Sequence, residues 1–575
     1  MHYNWTHLPA DAETVSVLRD ALKIHPVLCR LLVQRGITDF DSAKAFFRPK
    51  LSDLHDPFLM SGMEAAVKRI DRAIVNEEKI LLYGDYDADG TTAVALLYSF
   101  FKNHCEKLEY YIPDRYKEGY GVSAQGVDFA KQNGMTLIIA ADCGIKATKQ
   151  VRRAKELGID FIICDHHLPG DELPPAVAVL DPKQAHCTYP YKELSGCGIA
   201  FKLAQAWSLK IGLPAQETTD LLDLVVISIA CDIVEMRGEN RVLAYFGLKK
   251  LNRTNRLGLQ ALIEKSGRTL PMNVSDIVFG IGPRINAVGR LENARTAVRL
   301  LLAEDKFVAY DLARTTDNYN KQRKEFDRQI AEEGKKMFRQ FDDFKERKSI
   351  VLCKDTWHKG VLGIAASRMT ETFHLPAIML TESNGMLVGS ARSVRGFNIH
   401  RAIESCTDLL ENFGGHDFAA GLTLREENLS AFREKFEEYV KENISEAALR
   451  PELRINAELD FKDITPLFWK ILKQFAPFGP GNMNPLFYAK GVFDSGYSKI
   501  LKGNHLRLAL KQKFKSSAFY GIAFGKGEYY PQIHRQLPFD IAYKLEENIW
   551  EGRKTLRFLA RDFKFDEASG RDEEE

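Results

Sequence analysis

Acidic and imidazole side chains follow directly on four short apolar runs in the first half of the chain. The first run, KILLYG, precedes three aspartates at alternate positions, and an extended segment places all three on one face. The other runs are TLIIAA, DFIIC and LVVISIAC. The side chains that follow the four runs are, in chain order, Asp85, Asp87 and Asp89, then Asp142, then Asp165, His166 and His167, then Asp232. Because open α/β sheets build their sites at the carboxyl ends of strands, we expect these side chains to converge.

The donor atoms at these run ends are typical of a divalent metal centre. Carboxylate oxygens with imidazole nitrogen suit Mn²⁺ or Mg²⁺ better than a thiolate zinc site does. Two ions about 3.5–4 Å apart clamp a phosphoryl group and activate a shared water, and they need such an excess of ligands with one bridging carboxylate. A single aspartate after a strand is more often a helix cap or a turn residue, but four run ends together are hard to ascribe to capping. The pattern predicts phosphoester hydrolysis and leaves the phosphoester open.

Three of the nine cysteines, Cys143, Cys164 and Cys231, stand beside these acids but are predicted to be core residues. Adjacent residues of a strand point to opposite faces, so a ligand at Asp142 turns Cys143 into the core. The cysteines form no CxxC pair, which favours a reducing compartment. We expect a cytoplasmic protein, because no secretory signal pattern is present and the longest apolar run is shorter than the ~20 residues that a membrane helix needs.

Length and composition indicate several folded domains. The chain has 575 residues, of which 45% are hydrophobic and 27% are charged. These values exclude wholesale disorder, a collagen and a coiled coil. A formal net charge of +2 neither requires nor excludes a nucleic-acid partner.

The hydrophobic patterning predicts an α/β protein with a parallel, helix-covered sheet, because short apolar runs alternate with helical periodicity from Lys79 onward. A long proline-free helical pattern then leads into a second α/β unit, and short alternating runs near the end predict a small β-barrel. The expected domains are a helical leader (1–78), a catalytic domain (79–304), a connector helix (305–348), a second α/β domain (349–450), a barrel (451–565) and an acidic tail (566–575).

Four motifs, GDYDADG, DCG, DHH and CDIVEMRGENR, resemble those of the DHH phosphoesterase superfamily. Six further segments are similar to its branch of single-stranded-DNA exonucleases: YIPDRYKEGYGVS, LSGCGIAFKLA, FGIGPRINAVGRL, WHKGVLGIAASR, FGGHDFAAG and FAPFGPGN. The resemblance covers nearly the whole chain. It implies a 5′-to-3′ exonuclease of single-stranded DNA that acts in recombination and repair with two Mn²⁺ or Mg²⁺ ions. It also implies a DHH-associated second α/β domain and an OB-like barrel.

The resemblance assigns a role to each residue of the predicted centre. Asp142 bridges the two ions. Asp89, His166 and Asp232 complete one ion site, and Asp85 and Asp87 serve the other. His167 faces the phosphate, Asp165 orients the histidine pair, and the expected catalytic set is Asp87, Asp89, Asp142, His166, His167 and Asp232. The chain departs from the superfamily at Tyr83, where many members place a histidine ligand.

The resemblance also implies residues that contact the strand: Arg284, Asn286, Arg290, Ser390, Arg392, Ser393, Gly414, Gly415 and His416. From the residues alone, surface charge and turn chemistry are the favoured explanation of the first three. GGHDFAAG is either a phosphate cradle or a tight turn between strands. Trp357 and His358 could stack or donate a hydrogen bond, although a tryptophan that opens a helix more often packs in the core. In the barrel, lysines interleave with aromatic residues, which is typical of a single-strand groove.

Two other functions stay open from the sequence. One is another DHH phosphoesterase, acting on oligoribonucleotides, cyclic dinucleotides or pyrophosphate, although such relatives typically lack the leader and the barrel. The other is a non-catalytic DNA-binding scaffold of the same fold, although here every expected acid and the histidine pair are present. As partners, the resemblance implies single-stranded DNA, a single-strand-binding protein and a recombination helicase, with no membrane, for a monomeric enzyme.

Overall fold

The computed structural model describes residues 3–512, 515–550 and 553–565, so the predicted acidic tail lies outside the described residues. The chain divides into two units: residues up to Lys50 together with those from Pro451 onward, and Leu51–Arg450. The helices expected in the leader are therefore shared between the units. Within the described ranges, no helix has the length and apolar character to cross a membrane.

The N-terminal part of the first unit contains one strand and three helices. Leu18, Leu28 and Leu32 belong to the same buried cluster as Phe475 of the barrel region, so these helices share a core with the barrel. The elements are β1 (Asn4–His7), α1 (Ala12–Leu22), α2 (Pro26–Val33) and α3 (Phe40–Phe47).

The second unit begins with a five-stranded parallel sheet in the order β3-β2-β4-β5-β6, which confirms the predicted α/β fold. The strands read ILLYG and LIIAA because helices cover both faces of the sheet, and every residue of these two strands is buried. The elements are α4 (Met63–Val75), β2 (Ile80–Gly84), α5 (Ala88–Phe101), β3 (Leu108–Tyr111), α6 (Ala124–Gln132), β4 (Leu137–Ala141), α7 (Thr148–Glu156), β5 (Asp160–Cys164) and β6 (Ala178–Leu180).

A group of helices follows the sheet, and one of them corrects the sequence interpretation. The run LVVISIAC was taken for a strand that ends at Asp232, but it forms a helix that packs on α5. A short apolar run has no period that distinguishes a buried strand from a buried helix. The elements are α8 (Gly196–Ile211), α9 (Gln216–Thr219), α10 (Leu222–Cys231), α11 (Gly238–Leu251), α12 (Leu257–Ser266), α13 (Val274–Asp276), α14 (Gly282–Leu291) and α15 (Arg295–Leu301).

The connector is a single helix, α16 (Lys306–Arg339), of 34 residues and about 51 Å. It packs on α12, α14 and α15 and on α17 of the second α/β domain. That domain has a sheet in the order β10-β11-β9-β8-β7, in which only β7 and β8 are parallel. Its elements are β7 (Ile350–Cys353), α17 (Leu362–Phe373), β8 (Ala377–Ser383), β9 (Met386–Arg392), α18 (Ile399–Glu404), β10 (Asn412–His416), β11 (Ala419–Leu424) and α19 (Leu429–Asn443).

The last part of the first unit is a closed barrel. Its strands pair in the order β14-β18-β19-β17-β16, and β16 pairs back with β14. Phe461, Tyr543 and Phe558 fill the interior. The elements are β12 (Glu452–Ile455), β13 (Ala457–Glu458), α20 (Pro466–Leu472), β14 (Phe487–Asp494), β15 (Lys499–Leu501), β16 (His505–Gln512), β17 (Lys515–Ala523), α21 (Tyr530–His534), β18 (Phe539–Trp550) and β19 (Arg553–Phe565).

A buried ion pair joins α14 to the connector helix. Arg284 donates from Nε to Asp317 Oδ1 at 2.9 Å, and both side chains are 9% exposed. The remaining donors of Arg284 bond the carbonyls of Gly280 at 2.7 Å and Lys265 at 3.1 Å. Every guanidinium nitrogen is therefore engaged inside the protein.

We expect Arg284→Met to cost about 3–5 kcal/mol of stability, because it leaves a buried carboxylate and two carbonyls without their donor. Calorimetric melting measures the change. The matched control is Arg314→Met, which removes an exposed pair with Asp311 on the same helix and should leave the melting temperature nearly unchanged. Equal effects of the two substitutions would contradict the assigned role of the ion pair.

Candidate metal centre

The carboxyl ends of β2, β4 and β5 meet at one edge of the sheet, where they place Asp85, Asp142 and Asp165. Asp142 turns the chain away from the sheet with φ 63°, a left-handed conformation that aspartate tolerates better than most residues. Its backbone N–H donates to Cys164 O at 2.8 Å. The sheet therefore brings together side chains that are far apart in sequence, as predicted.

The segment after β2 is not extended, which corrects the predicted common face of Asp85, Asp87 and Asp89. Asp87 is the N-cap of α5, and its Oδ1 accepts from the N–H groups of Asp89 at 2.9 Å and Gly90 at 3.1 Å. Asp89 therefore lies in the first turn of the helix. A Cβ at Gly90 would lie 2.6 Å from the backbone of Asp85, so this tight entry into the helix requires glycine.

Four of the predicted ligands converge on one point. His166 Nε2 lies 3.2 Å from Asp142 Oδ1, 3.6 Å from Asp232 Oδ2 and 3.8 Å from Asp89 Oδ2. A second overlapping group consists of Asp142, His166 and His167, with donor atoms within 4.8 Å of one another. Distances of this size suit donors that surround a shared cation.

The hydrogen-bond inventory shows that the residues fit a metal ion. The buried polar atoms without any hydrogen-bond partner include both carboxylate oxygens of Asp85, Oδ1 of Asp142 and both ring nitrogens of His166. Buried polar atoms are nearly always paired in folded proteins, so such a group needs an explanation. A divalent cation that prefers oxygen and imidazole ligands, Mn²⁺ or Mg²⁺, satisfies these atoms.

Mutual repulsion raises the pKa of the carboxyl groups. Burial, with the charges of Asp89, Asp87, Asp232 and Asp85, holds the pKa of Asp142 well above its usual range. Burial and the charges of Asp89 and Asp87 raise the pKa of Asp232 to about 8. Without a cation the protein must therefore retain protons in this cluster.

Asp89 is held by groups that the sequence interpretation missed. Its oxygens accept from the N–H groups of Gly196 and Cys197, each at 2.8 Å, at the start of α8, and from the Ser228 hydroxyl of α10 at 2.6 Å. The N-terminus of a helix favours a negative charge. Ser195, the N-cap of α8, also bonds Ser228, at 2.6 Å. The serine and glycines of LSGCG were the available signal for a helix start.

Asp165 organises the histidine pair. Its Oδ1 accepts from the backbone N–H groups of His166 and His167 and lies 2.7 Å from His167 Nδ1, while Oδ2 accepts from Ile145 N–H. Despite its burial, these hydrogen bonds and the charge of His167 lower the pKa of Asp165. Conversely, the Asp165 carboxylate outweighs burial and raises the pKa of His167. On its other side His167 Nε2 lies 3.0 Å from the Tyr120 hydroxyl, a contact that the sequence interpretation missed.

Tyr83 is not part of the donor cluster. Its ring packs on the other face of the sheet with Val122 and Val127. Its hydroxyl donates to Gly121 O at 3.1 Å and accepts from Ser123 N–H at 3.1 Å. Tyr83 therefore anchors the segment that contains Tyr120.

The residues predicted to contact single-stranded DNA lie in different environments. Arg284 is fully engaged in the ion pair with Asp317, and Asn286 Oδ1 accepts from Ala88 N–H at 2.7 Å, so it positions the start of α5. Arg290 donates to Gly360 O at 3.2 Å and forms no direct ion pair among the described residues, although the charge of Asp87 acts on it. Burial and the charges of Arg115, Arg323 and Arg392 lower the pKa of Arg290 to about 10.

These four guanidiniums, the arginine group, come from four separate segments: Arg115 after β3, Arg290 on α14, Arg323 on α16 and Arg392 on β9. Arg115 also lies over the ring of Tyr86, 4.8 Å from its centroid, next to the metal ligands. The sequence interpretation missed Arg115 and Arg323, which no local motif distinguishes from surface charge.

The remaining predicted residues lie on the sheet of the second α/β domain. Arg392 Nη1 donates to Ser390 Oγ at 3.0 Å, and the Ser393 hydroxyl donates to Phe397 O at 2.7 Å. Gly414, Gly415 and His416 are exposed residues of strand β10, which forms a hairpin with β11. The segment GGHDFAAG therefore forms a tight hairpin with exposed residues, and its contact with a phosphate stays a prediction.

We expect Gly196→Ala to lower the Mn²⁺ affinity by at least about tenfold, the size of effect seen when groups around metal ligands change. A Cβ there would lie 2.5 Å from Asp142 Oδ1 and must displace that carboxylate. Titration calorimetry measures the affinity. Gly170→Ala is the control, because its Cβ meets nothing closer than 4.0 Å, and equal affinities in both variants would refute the placement of Asp142.

The raised pKa values predict that the metal-free protein loses stability as pH rises from about 4 to about 8. The pKa of Asp232 is about 8 in the folded protein and ordinarily 3.8, so between these values the folded protein holds a proton that the unfolded chain has released. The contribution of this proton to stability is complete below the ordinary pKa and is lost once pH exceeds about 8. The melting temperature should fall over this range without metal and recover with Mn²⁺. The melting temperature of Asp232→Asn should fall less steeply with pH than that of the wild type. Identical slopes would contradict the assignment of the raised pKa to Asp232.

Three domain families match separate parts of the chain. The N-terminal domain of the DHH family matches residues 79–229, the DHHA1 domain matches 346–442 and the RecJ OB domain matches 455–562. Together these matches cover the sheet with its helices, the second α/β domain and the barrel.

Several known proteins are similar over nearly the full chain. The single-stranded-DNA-specific exonuclease RecJ of Bacillus subtilis is 38% identical over 97% of this chain and 70% of its own length, and that of Haemophilus influenzae is 35% identical over 93% and 95%. The crystal structure of Thermus thermophilus RecJ in complex with Mn²⁺ superposes with a TM-score of 0.84 at 28% identity, covering 98% of this chain and 80% of that one. A Mg²⁺ complex of the same protein matches with a TM-score of 0.78 at 26% identity, over 98% and 78% of the two chains. The chain belongs to the RecJ family.

Proposed function

We propose that this protein is a two-metal exonuclease that hydrolyses phosphodiester bonds of single-stranded DNA from the 5′ end. The observation that carries the proposal is the position of Asp142, whose Oδ1 lies 3.2 Å from His166 Nε2. The same carboxylate also interacts through its charge with four other acids: Asp89, Asp87, Asp232 and Asp85. A carboxylate close to all the other hard ligands is what a bridged pair of ions needs. The relatives named single-stranded-DNA-specific exonucleases support the substrate.

The residues divide into two ligand sets and a phosphate-facing histidine. Asp89, His166 and Asp232 would hold one ion, Asp85 and Asp87 the other, and Asp142 would contact both. Mn²⁺ or Mg²⁺ bound there would supply Lewis-acid stabilisation and a water of lowered pKa.

His167 would face the phosphate of the substrate. Its Nδ1 lies 2.7 Å from Asp165 Oδ1, and that carboxylate raises the pKa of the imidazole. A protonated imidazole beside the ions would stabilise the negative charge that develops on the phosphoryl oxygens. Tyr120, 3.0 Å from Nε2, would orient the ring.

The arginine group would bind the end of a single-stranded DNA. Arg115, Arg290 and Arg392 form no direct ion pair among the residues the structure describes, and Arg323 is 3.9 Å from Asp327. Asp85 interacts with Arg115 through its charge, and Asp87 does so with Arg290. The positive charges around Arg290 would be relieved by a bound anion, and planar guanidinium groups match phosphate oxygens. A terminal phosphate has the highest charge in the strand, so the group suits an end better than a midpoint.

The barrel would supply a further binding surface for single-stranded DNA. Tyr497 and Tyr520 are exposed at 69% and 53% beside the basic strands β15 and β16, which contain Lys499 and Arg507. Exposed rings with interleaved cations bind single strands without sequence preference. Among the interleaved lysines and aromatic residues predicted in the barrel, Lys513, Phe514 and the side chain of Lys515 lie outside the described residues. Single-strand-binding protein, a helicase and a monomeric state stay predictions.

The test is product release from 5′-labelled and 3′-labelled single-stranded DNA with Mn²⁺. We expect labelled mononucleotide from the 5′ label first and only late from the 3′ label. Asp142→Ala should release neither, because both ligand sets lose their shared carboxylate, whereas Asp171→Ala, an exposed acid of the same domain, should retain activity.

Other outcomes overturn the proposal. Early release from the 3′ label contradicts the polarity. Intact strands that are retarded on a gel favour a scaffold, and hydrolysis of a small phosphoester without strand degradation favours another DHH activity. Unchanged activity in Asp142→Ala refutes the metal centre.

A further inference from the structure

We propose that Phe326 and His358 form a stacking platform for one nucleobase of the strand, and this inference rests on the proposed function. Phe326 lies on the connector helix, and 37% of the residue remains exposed. Its ring stacks on the imidazole of His358 with centroids 5.3 Å apart and an interplanar angle of 11°. The two rings, from different domains, therefore stack face to face, and the exposed part of Phe326 leaves room for a base to continue the stack.

The platform adjoins the arginine group. Phe326 lies one helical turn after Arg323 and on the same side of α16. His358 is two residues before Gly360, whose carbonyl accepts from Arg290 at 3.2 Å. Tyr116 connects the two features, because its ring is edge-on to His358 at 6.2 Å and its hydroxyl donates to Arg290 O. A phosphate held by the arginines therefore brings its attached base to these rings.

The local structure holds the platform in place. His358 Nδ1 accepts from Gly360 N–H at 3.1 Å, which fixes the imidazole as the cap of a 3-10 turn. Burial and the adjacent Lys359 lower the pKa of His358, so the ring is neutral and presents a π-face rather than a charge. Trp357, the neighbouring aromatic residue, is buried and donates to Glu333 at 2.8 Å, so it belongs to the core and not to the platform.

Stacking on an aromatic ring suits an enzyme that must advance along any sequence, because every base has a π-face. The arginine group alone would hold phosphates without fixing where the next base lies. A platform beside it would set the position of the base relative to the scissile bond. The alternative role of Phe326, apolar packing between the connector and the second α/β domain, predicts no dependence on a base.

The test measures binding of single-stranded DNA to full-length Asp142→Ala, which leaves the strand intact. A set of oligonucleotides carries one abasic site at each successive nucleotide from the 5′ end. We expect one position near that end at which the missing base weakens binding about tenfold, the usual size for one stacked base. Phe326→Leu, which retains apolar volume, should weaken binding of the intact strand similarly and abolish the effect of that abasic position. Phe326→Trp should restore both.

The matched control is Phe307→Leu on the same helix, where the phenylalanine is 85% exposed. It should leave affinity and the abasic profile unchanged. Two results would overturn the platform while leaving the exonuclease proposal intact. One is that the loss of affinity caused by Phe326→Leu adds to the loss caused by an abasic site at every position. The other is an equal loss of affinity in the Phe307 and Phe326 variants. If Asp142→Ala binds no single-stranded DNA at all, both proposals fail.

Discussion

The repulsion among buried carboxylates at one edge of a parallel sheet is the constraint on which the rest of the structure depends. Asp85, Asp87, Asp89, Asp142 and Asp232 lie so close that burial and neighbouring charge raise the pKa of four of them. Such a group is unfavourable in a folded protein unless protons or cations neutralise it. The surrounding elements hold it together against that cost: the sheet edge, the start of α8 and the buried helix α10.

The positively charged arginine group lies beside the acidic centre and is also assembled from separate segments. Four guanidiniums come from four segments, and the connector helix joins the two domains that carry them. The boundary between acids and arginines is narrow: Arg115 lies over Tyr86, and a Cβ at Gly289 would clash with Tyr86 O. Under the proposed function, a polyanion held by the arginines would meet cations held by the acids, which is the arrangement that phosphodiester hydrolysis requires.

Local sequence patterns predicted the elements that apolar runs and helical periodicity specify by themselves. The buried strands before Asp85, Asp142 and Asp165 follow from continuous apolar runs, and the connector follows from a long helical period. The prediction was wrong where a short pattern has two solutions. LVVISIAC has no hydrophobic period that distinguishes a helix from a strand, and it forms a helix that is buried by its neighbours on all sides. Asp87 caps the start of a helix, although the alternating aspartates suggested an extended chain.

The sequence predicted that these acidic and histidine side chains cluster, but it did not predict the contacts that surround them. Ser228 bonds Asp89 across 139 residues, and no local feature marks that contact. Arg284 and Arg290 lie in one motif, yet one is locked in an ion pair and the other faces three guanidiniums. The difference comes from which neighbouring elements approach each side chain, which only tertiary structure determines.

The central claim is that the acids hold two ions with Asp142 between them, and the most direct measurement is the Mn²⁺ stoichiometry by equilibrium dialysis with electron paramagnetic resonance. The account predicts two spin-coupled Mn²⁺ ions per wild-type chain. It predicts one uncoupled ion when Asp85 and Asp87 are both replaced by asparagine, because the Asp89, His166 and Asp232 set remains. A single ion in the wild type, or two ions in the double variant, would contradict it.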